Sequence, residues 1–521
     1  MRLLEIGISE GKMSKFVTHR ILTGRSTLLR RLCTAVEVKN ETAATPVVRN
    51  ESQTLYKRLS ALGSAKGKAS EILNEYIREG KGYVVEKQCL ERCIKELRKF
   101  KKHQCALEIM EWMANRNVNF GSADRAILLD LIAKVQGVPA AEKYFNDLPS
   151  KAQDHYTFGS LLNCYCVEKM ADEALALYER MDKMRYTSTL CFNNLMSLYM
   201  RLKKPEKVPL LAEEMKRRNL KLTTFTYNIL MTSYLSSNDI EGVERVYEEM
   251  KSGNEKMCDW TTYSHLACAY SKLGFYEKAG IAMKKMEGEI RRLRHREGYH
   301  FLLSLYAGMS NRVEVNRIWS SLKSQFEVTT NYSYLIMVQS LSKLDDMDGL
   351  KKVFTEWELR CSSYDMRVAN AAICAYLRHD MVTEAEEVFS TAMERSKGPF
   401  FNGLEMFSVS FLKKKNVDRA LQCIESAISM SKEKDWSPRP ETIKAFLNHF
   451  EEERDVDGAE RFCGGLKKLK GCCLNGDVYK SVLQTYSGAG RMSHDMRTRM
   501  EQDGIDITDE LECLLQKVCP Q

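Results

Sequence analysis

Apolar and polar positions along this chain recur with a period of about 35 residues, and within each period their spacing is helical rather than alternating. A small aliphatic residue that opens an apolar run returns at Ala106, Ala141, Ala174, Val208, Val243, Ala279, Val315, Leu350, Ala385, Ala420 and Ala459. The intervals are 35, 33, 34, 35, 36, 36, 35, 35, 35 and 39 residues. Fifteen residues ahead of each begins another helical stretch, at Glu91, Ala126, Gly159, Asn193, Asn228, Ser264, His300, Leu335, Asn370, Glu405 and Lys444, with a decayed twelfth at Lys480. Apolar residues stand two and six places after each start, as Leu230 and Tyr234 do after Asn228. A spacing of four puts both on one helix face, so the recurring tyrosines read as core. A polar turn follows, such as Ser236 to Asp239, and then a second helix with apolar residues at Ile240, Val243, Val246, Tyr247 and Met250.

One such hairpin cannot bury its own apolar face, so neighbouring hairpins must stack. The period predicts an all-α fold: a right-handed α-solenoid superhelix of about 12 helix-turn-helix repeats, with the first helices along the concave face. Nine prolines in 521 residues agree with a nearly continuous helical array. No run of 18 apolar residues occurs, so no membrane insertion is expected.

The helix openings Phe225-Thr-Tyr-Asn228-Ile-Leu-Met, Cys191-Phe-Asn193-Asn-Leu-Met and Tyr156-Thr-Phe-Gly159-Ser-Leu-Leu share an aromatic residue shortly before the start and apolar residues after it. The closing helices Ala174-Leu-Ala-Leu-Tyr-Glu-Arg-Met181 and Val243-Glu-Arg-Val-Tyr-Glu-Glu-Met250 are alike in the same way. Over residues 71–515 the chain resembles the P-class pentatricopeptide-repeat proteins of plant organelles, of mitochondrial type. The Trp and Gly-Tyr signals of tetratricopeptide helices are absent from its first helices.

The resemblance implies a single-stranded RNA partner read one base per repeat by two or three side chains. It places the base-reading pair at each start and at the residue five before the next start. Asn228 with Asp259 matches a uracil-preferring pair in full. Asn193 with Thr223, and Asn370 with Phe400, match at the first member and suggest pyrimidine. Ser264 with His295 has the small hydroxyl expected for purine. Pairs such as Leu335/Asp365 and Glu405/Arg439 depart from the pattern. Three residues before a start the family places an apolar wedge beside the base, a place held here by Tyr156, Leu190 and Phe225, and also by Tyr332. Eight residues after a start it often has a cation facing phosphate, matched by Lys99, Lys134, Arg201, Lys272, Lys343, Arg378 and Lys413. Cations there also suit the negative end of a helix dipole whether or not RNA is present.

Charge sharpens this picture. The chain has 79 basic and 70 acidic residues, a formal charge of +9. Residues 1–36 carry seven basic residues against two acidic, so the array itself is only mildly basic and needs a localised stripe to hold a nucleic acid. Residues 11–36 hold six basic residues and no acidic one, with interleaved Ser and Thr. That is the pattern of an organellar transit peptide, and its arginines favour mitochondria. The expected organisation is a mitochondrial transit peptide at 1–36, a polar linker at 37–70, the repeat array at 71–515 and a short tail at 516–521, in a monomer of the matrix. Glu5 and Glu10 fit a transit peptide badly, which makes Met13 a candidate start.

Seventeen cysteines without regular spacing indicate reduced, buried thiols. There is no Gly-rich phosphate loop, no His-x-Glu with Cys-x-x-Cys, and no pair of histidines at ligand spacing on one helix. No catalysis and no cofactor are therefore expected. Two functions remain: binding of organellar RNA in transcript stability, end processing, splicing or translation, and a scaffold that docks ribosomal or other RNA-processing proteins.

Overall fold

The computed structural model describes residues 55–60, 68–79, 87–253, 257–395, 400–431, 436–469 and 474–519. The expected transit peptide, and most of the expected linker, lie outside them. Among the described residues every regular element is a helix.

Twelve first helices carry the twelve starts, among them His155–Glu168, Thr189–Arg201, Thr224–Ser236, Trp260–Lys272, Arg296–Gly308, Asn331–Lys343, Met366–Arg378 and Phe401–Lys413. Each is followed by an antiparallel partner, as Ile240–Gly253 follows Thr224–Ser236. The chain divides into two compact units, Met1–Ala279 and Gly280–Gln521, and each is a stack of such hairpins. The fold is an α-solenoid.

The repeating small residue explains why the hairpins close. All eleven, from Ala106 to Ala459, are fully inaccessible to solvent. A larger side chain would hold the two helices of the hairpin apart. The large residue six after each start is buried or half-buried, and three of the tyrosines have a satisfied hydroxyl. The Tyr165, Tyr270 and Tyr486 hydroxyls donate to Glu142, Glu244 and Glu460 at 2.7, 3.1 and 2.8 Å. Burial, with the adjacent carboxylates, raises these phenols well above their ordinary range, so they remain donors.

The polar turn has one fixed device. Ten or eleven residues after each start the backbone is left-handed: at Lys101, Lys169, Lys203, Asn238, Ser310, Asp345, Asp380, Lys415 and Arg454, and at Gly137, Gly274 and Gly490. In the repeat of Asn193 the Lys204 N–H bonds the Tyr199 carbonyl at 2.9 Å, and the Lys203 N–H bonds that of Met200 at 3.3 Å, which caps the helix end. A β-carbon in this conformation is unfavourable. Lys203 is exposed and has a φ of 59° with no packing to lose. Lys203→Gly is therefore expected to stabilise its unit by up to about 1 kcal/mol, read as a higher denaturation midpoint.

Two boundaries differ from the expected ones. Residues 55–60 are helical and Leu55 and Leu59 are fully buried beside Ala69 and Leu73, so packing begins inside the segment read as linker. At the other end the helix Asp509–Val518 buries Leu511, Leu515 and Val518, so the segment read as a tail is partly core.

The units also predict a pH dependence. Glu287 receives both guanidinium nitrogens of Arg317, at 2.8 and 2.7 Å, which hold its carboxyl below the usual range against the opposing effect of burial. Hydrogen bonds from Lys278 lower Glu244 likewise. A depressed folded pKa contributes stability that is present above the unfolded value of about 4 and is lost as pH falls through the folded value. The melting temperature is expected to stay level from about pH 7 to 5 and to fall below about pH 4, with a shallower fall in Glu287→Gln. A melting temperature rising below pH 4 would contradict this.

Candidate nucleic-acid interface

Three of the start residues are linked by side-chain hydrogen bonds to the neighbouring first helix, each to a hydroxyl 33 residues further on. The Thr226 hydroxyl donates to Asn193 Oδ1 at 2.9 Å. Asn228 Nδ2 donates to Thr261 Oγ1 at 2.8 Å. His300 Nε2 and Ser333 Oγ lie 2.8 Å apart. Asn193, Asn228 and His300 thus each meet a hydroxyl of the next first helix, and all three are buried. Nothing about Thr226, Thr261 or Ser333 singles them out by type; the signal was a hydroxyl recurring 33 residues after the start.

Several second members of the pairs turn out to be helix caps, though the side chains of His295 and Phe400 are not. Asp259 precedes Trp260–Lys272, and its Oδ1 accepts from the Thr261 and Thr262 N–H groups at 2.9 and 3.1 Å. Thr223 precedes Thr224–Ser236 and accepts from the Thr226 N–H at 3.3 Å. Asp154, Thr330, Asp365 and Asn475 cap their helices in the same way. An Asp, Thr or Asn at this position satisfies orphan backbone donors, so its presence alone does not report base reading. Asp259 does not touch Asn228 directly. The Thr261 hydroxyl stands between them and donates to Asp259 Oδ1.

The other candidates fall into three groups. Ser264 is buried and its hydroxyl donates back to the Thr261 carbonyl at 2.9 Å. Asn370 has a buried carbonyl oxygen without a hydrogen bond. Thirty-three residues on stands Gly403, where a hydroxyl-bearing side chain has no room: a β-carbon would lie 2.7 Å from the Phe389 ring. Phe400, the second member that did not match the pattern, is buried and its ring stacks on Phe389 at 5.5 Å. Glu405, at a start, is closed off by its own protein. Its carboxylate accepts from the Arg439 N–H at 2.9 Å, from Arg439 Nε at 3.0 Å and from the Thr442 hydroxyl at 2.6 Å.

The wedge residues fit their expected place unevenly. Tyr156 and Leu190 are 47% and 57% exposed, unusual for large apolar side chains in a packed array, whereas Phe225 is half-buried. Tyr332 packs edge-on against His300 at 5.0 Å. The place equivalent to a wedge in the repeat of Ser264 is polar, since Thr261 occupies it.

All seven cations expected to face phosphate lie in the last turn of a first helix. Several of them are already engaged, Lys99 over the Phe100 ring at 5.7 Å. Lys134 pairs with Asp130 at 2.6 Å. Arg201 donates to the Cys166 carbonyl at 3.0 Å, and Lys272 to the Leu235 carbonyl at 3.3 Å and Asn238 Oδ1 at 3.1 Å. The last two cap the C-terminus of the preceding first helix and bridge adjacent repeats. The stripe therefore has a structural role that its spacing alone did not reveal.

Among the described residues no three His, Cys, Asp or Glu side chains come together as a metal site. None of these helices is long and apolar enough to cross a membrane. No disulfide links any two of the described cysteines.

Comparison with known proteins matches residues 187–234 to the PPR repeat family, and residues 156–186, 225–254, 261–289 and 368–395 to the PPR repeat. The segment around Asn193, Asn228 and Ser264 is thus almost wholly matched. The chain is 44% identical to the Arabidopsis thaliana pentatricopeptide repeat-containing protein At1g02370, mitochondrial, over 91% of this chain and 88% of that one. It is also 44% identical to At4g01990, mitochondrial, of the same organism and family, over 95% of this chain and 99% of the relative. It is 35% identical to the Arabidopsis large ribosomal subunit protein mL101 (rPPR4), over 89% of this chain and 95% of that protein.

Proposed function

The chain belongs to the pentatricopeptide-repeat family, and on that premise we propose that it is a mitochondrial protein of the matrix that binds single-stranded RNA without catalysing a reaction on it. It acts after transcription, holding a segment of transcript along the first helices of the repeats starting at Gly159 to Ser264. The observation that carries this reading is the state of Asn193 and Asn228. Each is fastened to a threonine of the next first helix by one end of its amide, and the other end makes no hydrogen bond among the described residues. A buried, unbonded amide carbonyl costs about 1–3 kcal/mol, which a base edge offsets by supplying the missing partner. In this structure Asn228 Oδ1 is shielded from solvent, so a base reaches it only once the adjoining side chains part. The exposed Tyr156 and Leu190 flank this region and offer stacking surface.

The repeats nearer the C-terminus support a second reading. Glu405 is neutralised by Arg439, and Phe400 is core, so these repeats have no free base-reading pair. Together with the likeness to a ribosomal subunit protein, this favours a protein-docking role for that part of the array. Sedimentation of the endogenous protein before and after RNase separates the two. A shift on RNase, with a discrete RNA recovered by crosslinking, is the expected result. RNase-resistant comigration with one ribosomal subunit would replace the transcript-binding reading with the scaffold.

A further inference from the structure

Two asparagines at the same place in consecutive repeats hold their amides in opposite senses, and the cause lies in the helix caps beside them. A carboxylate can only accept. The Thr261 hydroxyl therefore gives its one proton to Asp259, and the lone pairs that remain accept from Asn228 Nδ2. Asn228 is left with its carbonyl oxygen unbonded. At the preceding repeat the cap is Thr223, which has a proton of its own and lies 2.9 Å from the Thr226 hydroxyl. Thr226 can accept that proton and donate its own to Asn193 Oδ1. Asn193 is left with its amide nitrogen making no hydrogen bond among the described residues.

We propose that Thr226 and Thr261 are positioning residues that set which end of each asparagine amide meets the base, so that adjacent repeats demand opposite partners. Neither threonine belongs to the pair of positions that the family resemblance assigns to base reading, and Thr261 stands where that resemblance calls for an apolar wedge. The inference rests on the RNA-binding reading above. Asn193 offers a donor and Asn228 an acceptor. At ring position N3 cytosine accepts and uracil donates, so Asn193 selects cytosine and Asn228 selects uracil at neighbouring nucleotides.

The test is a binding titration of the full chain and of Thr261→Val, Thr261→Ser and Thr226→Val. The probes are synthetic single-stranded RNAs that differ only by uracil or cytosine at one position at a time. The parent is expected to prefer uracil at one nucleotide and cytosine at the next, each by about tenfold. Thr261→Val, which keeps shape but removes the hydroxyl, is expected to reduce the uracil preference to within about twofold and to leave the neighbouring cytosine preference intact. Thr226→Val is expected to do the reverse, and Thr261→Ser to behave as the parent. A merely structural role would weaken binding to all RNAs and preserve the ratios; that outcome, or unchanged binding, overturns the proposal while the RNA reading stands. A parent chain that binds none of the RNAs overturns the RNA reading and this proposal with it.

Discussion

Trp357→Ala is expected to remove about 3–5 kcal/mol from the stability of its unit. Trp357 is fully buried in the second helix Met347–Arg360. Its ring packs on Phe354 and Tyr364 at 5.3 and 4.8 Å, and its Nε1 donates to Asn331 Oδ1 at 2.9 Å. Asn331 in turn donates to the Ser363 carbonyl at 3.0 Å. One indole therefore ties a second helix to the start of its own first helix and to the turn into the next repeat. Truncation leaves a cavity and an unpaired carbonyl, and the two costs add. Because contacts in a repeat array are between neighbours, the damage should be local. Hydrogen exchange is expected to accelerate over 331–378 and to remain as in the parent around residues 155–201. Uniform loss of protection along the chain would argue for a single cooperative core, and a loss below about 1 kcal/mol would show that the site collapses to fill the space.

Asn228→Ala is expected to cost about 1–3 kcal/mol of RNA affinity, about 5- to 150-fold, and to relax preference at one nucleotide only. The amide is buried at the start position and held by Thr261. Lys272→Ala provides the contrast. It should weaken binding to every sequence and reduce the slope of log affinity against log salt by about one unit. Lys272 also caps the preceding helix through the Leu235 carbonyl, so its variant should in addition melt slightly earlier. Titration of both variants at two salt concentrations, against RNAs varied at single positions, distinguishes the two behaviours. If Asn228→Ala binds every RNA like the parent, the base-reading role is wrong and the scaffold becomes the better account.

By itself the sequence determined the repeat, its two helices and its core. The eleven small residues chosen by spacing alone are all fully buried, and all twelve starts lie on first helices. Hydrophobic periodicity is local and was sampled twelve times, so errors in one repeat were corrected by the others. The register between neighbouring first helices was decided only by the tertiary structure. It joined Asn193 to Thr226, Asn228 to Thr261 and Glu405 to Arg439, residues 33 or 34 apart whose partnership no local pattern encodes. It also decided competition for the same polar atom. Asp259 and Thr223 serve orphan backbone N–H groups first, and Lys272 serves a carbonyl of the previous repeat, because an unmet backbone group at a helix end is costly and close at hand. Helix faces follow from a rule that every residue obeys separately, whereas a hydrogen-bond partner depends on which of several nearby groups the packing brings within reach.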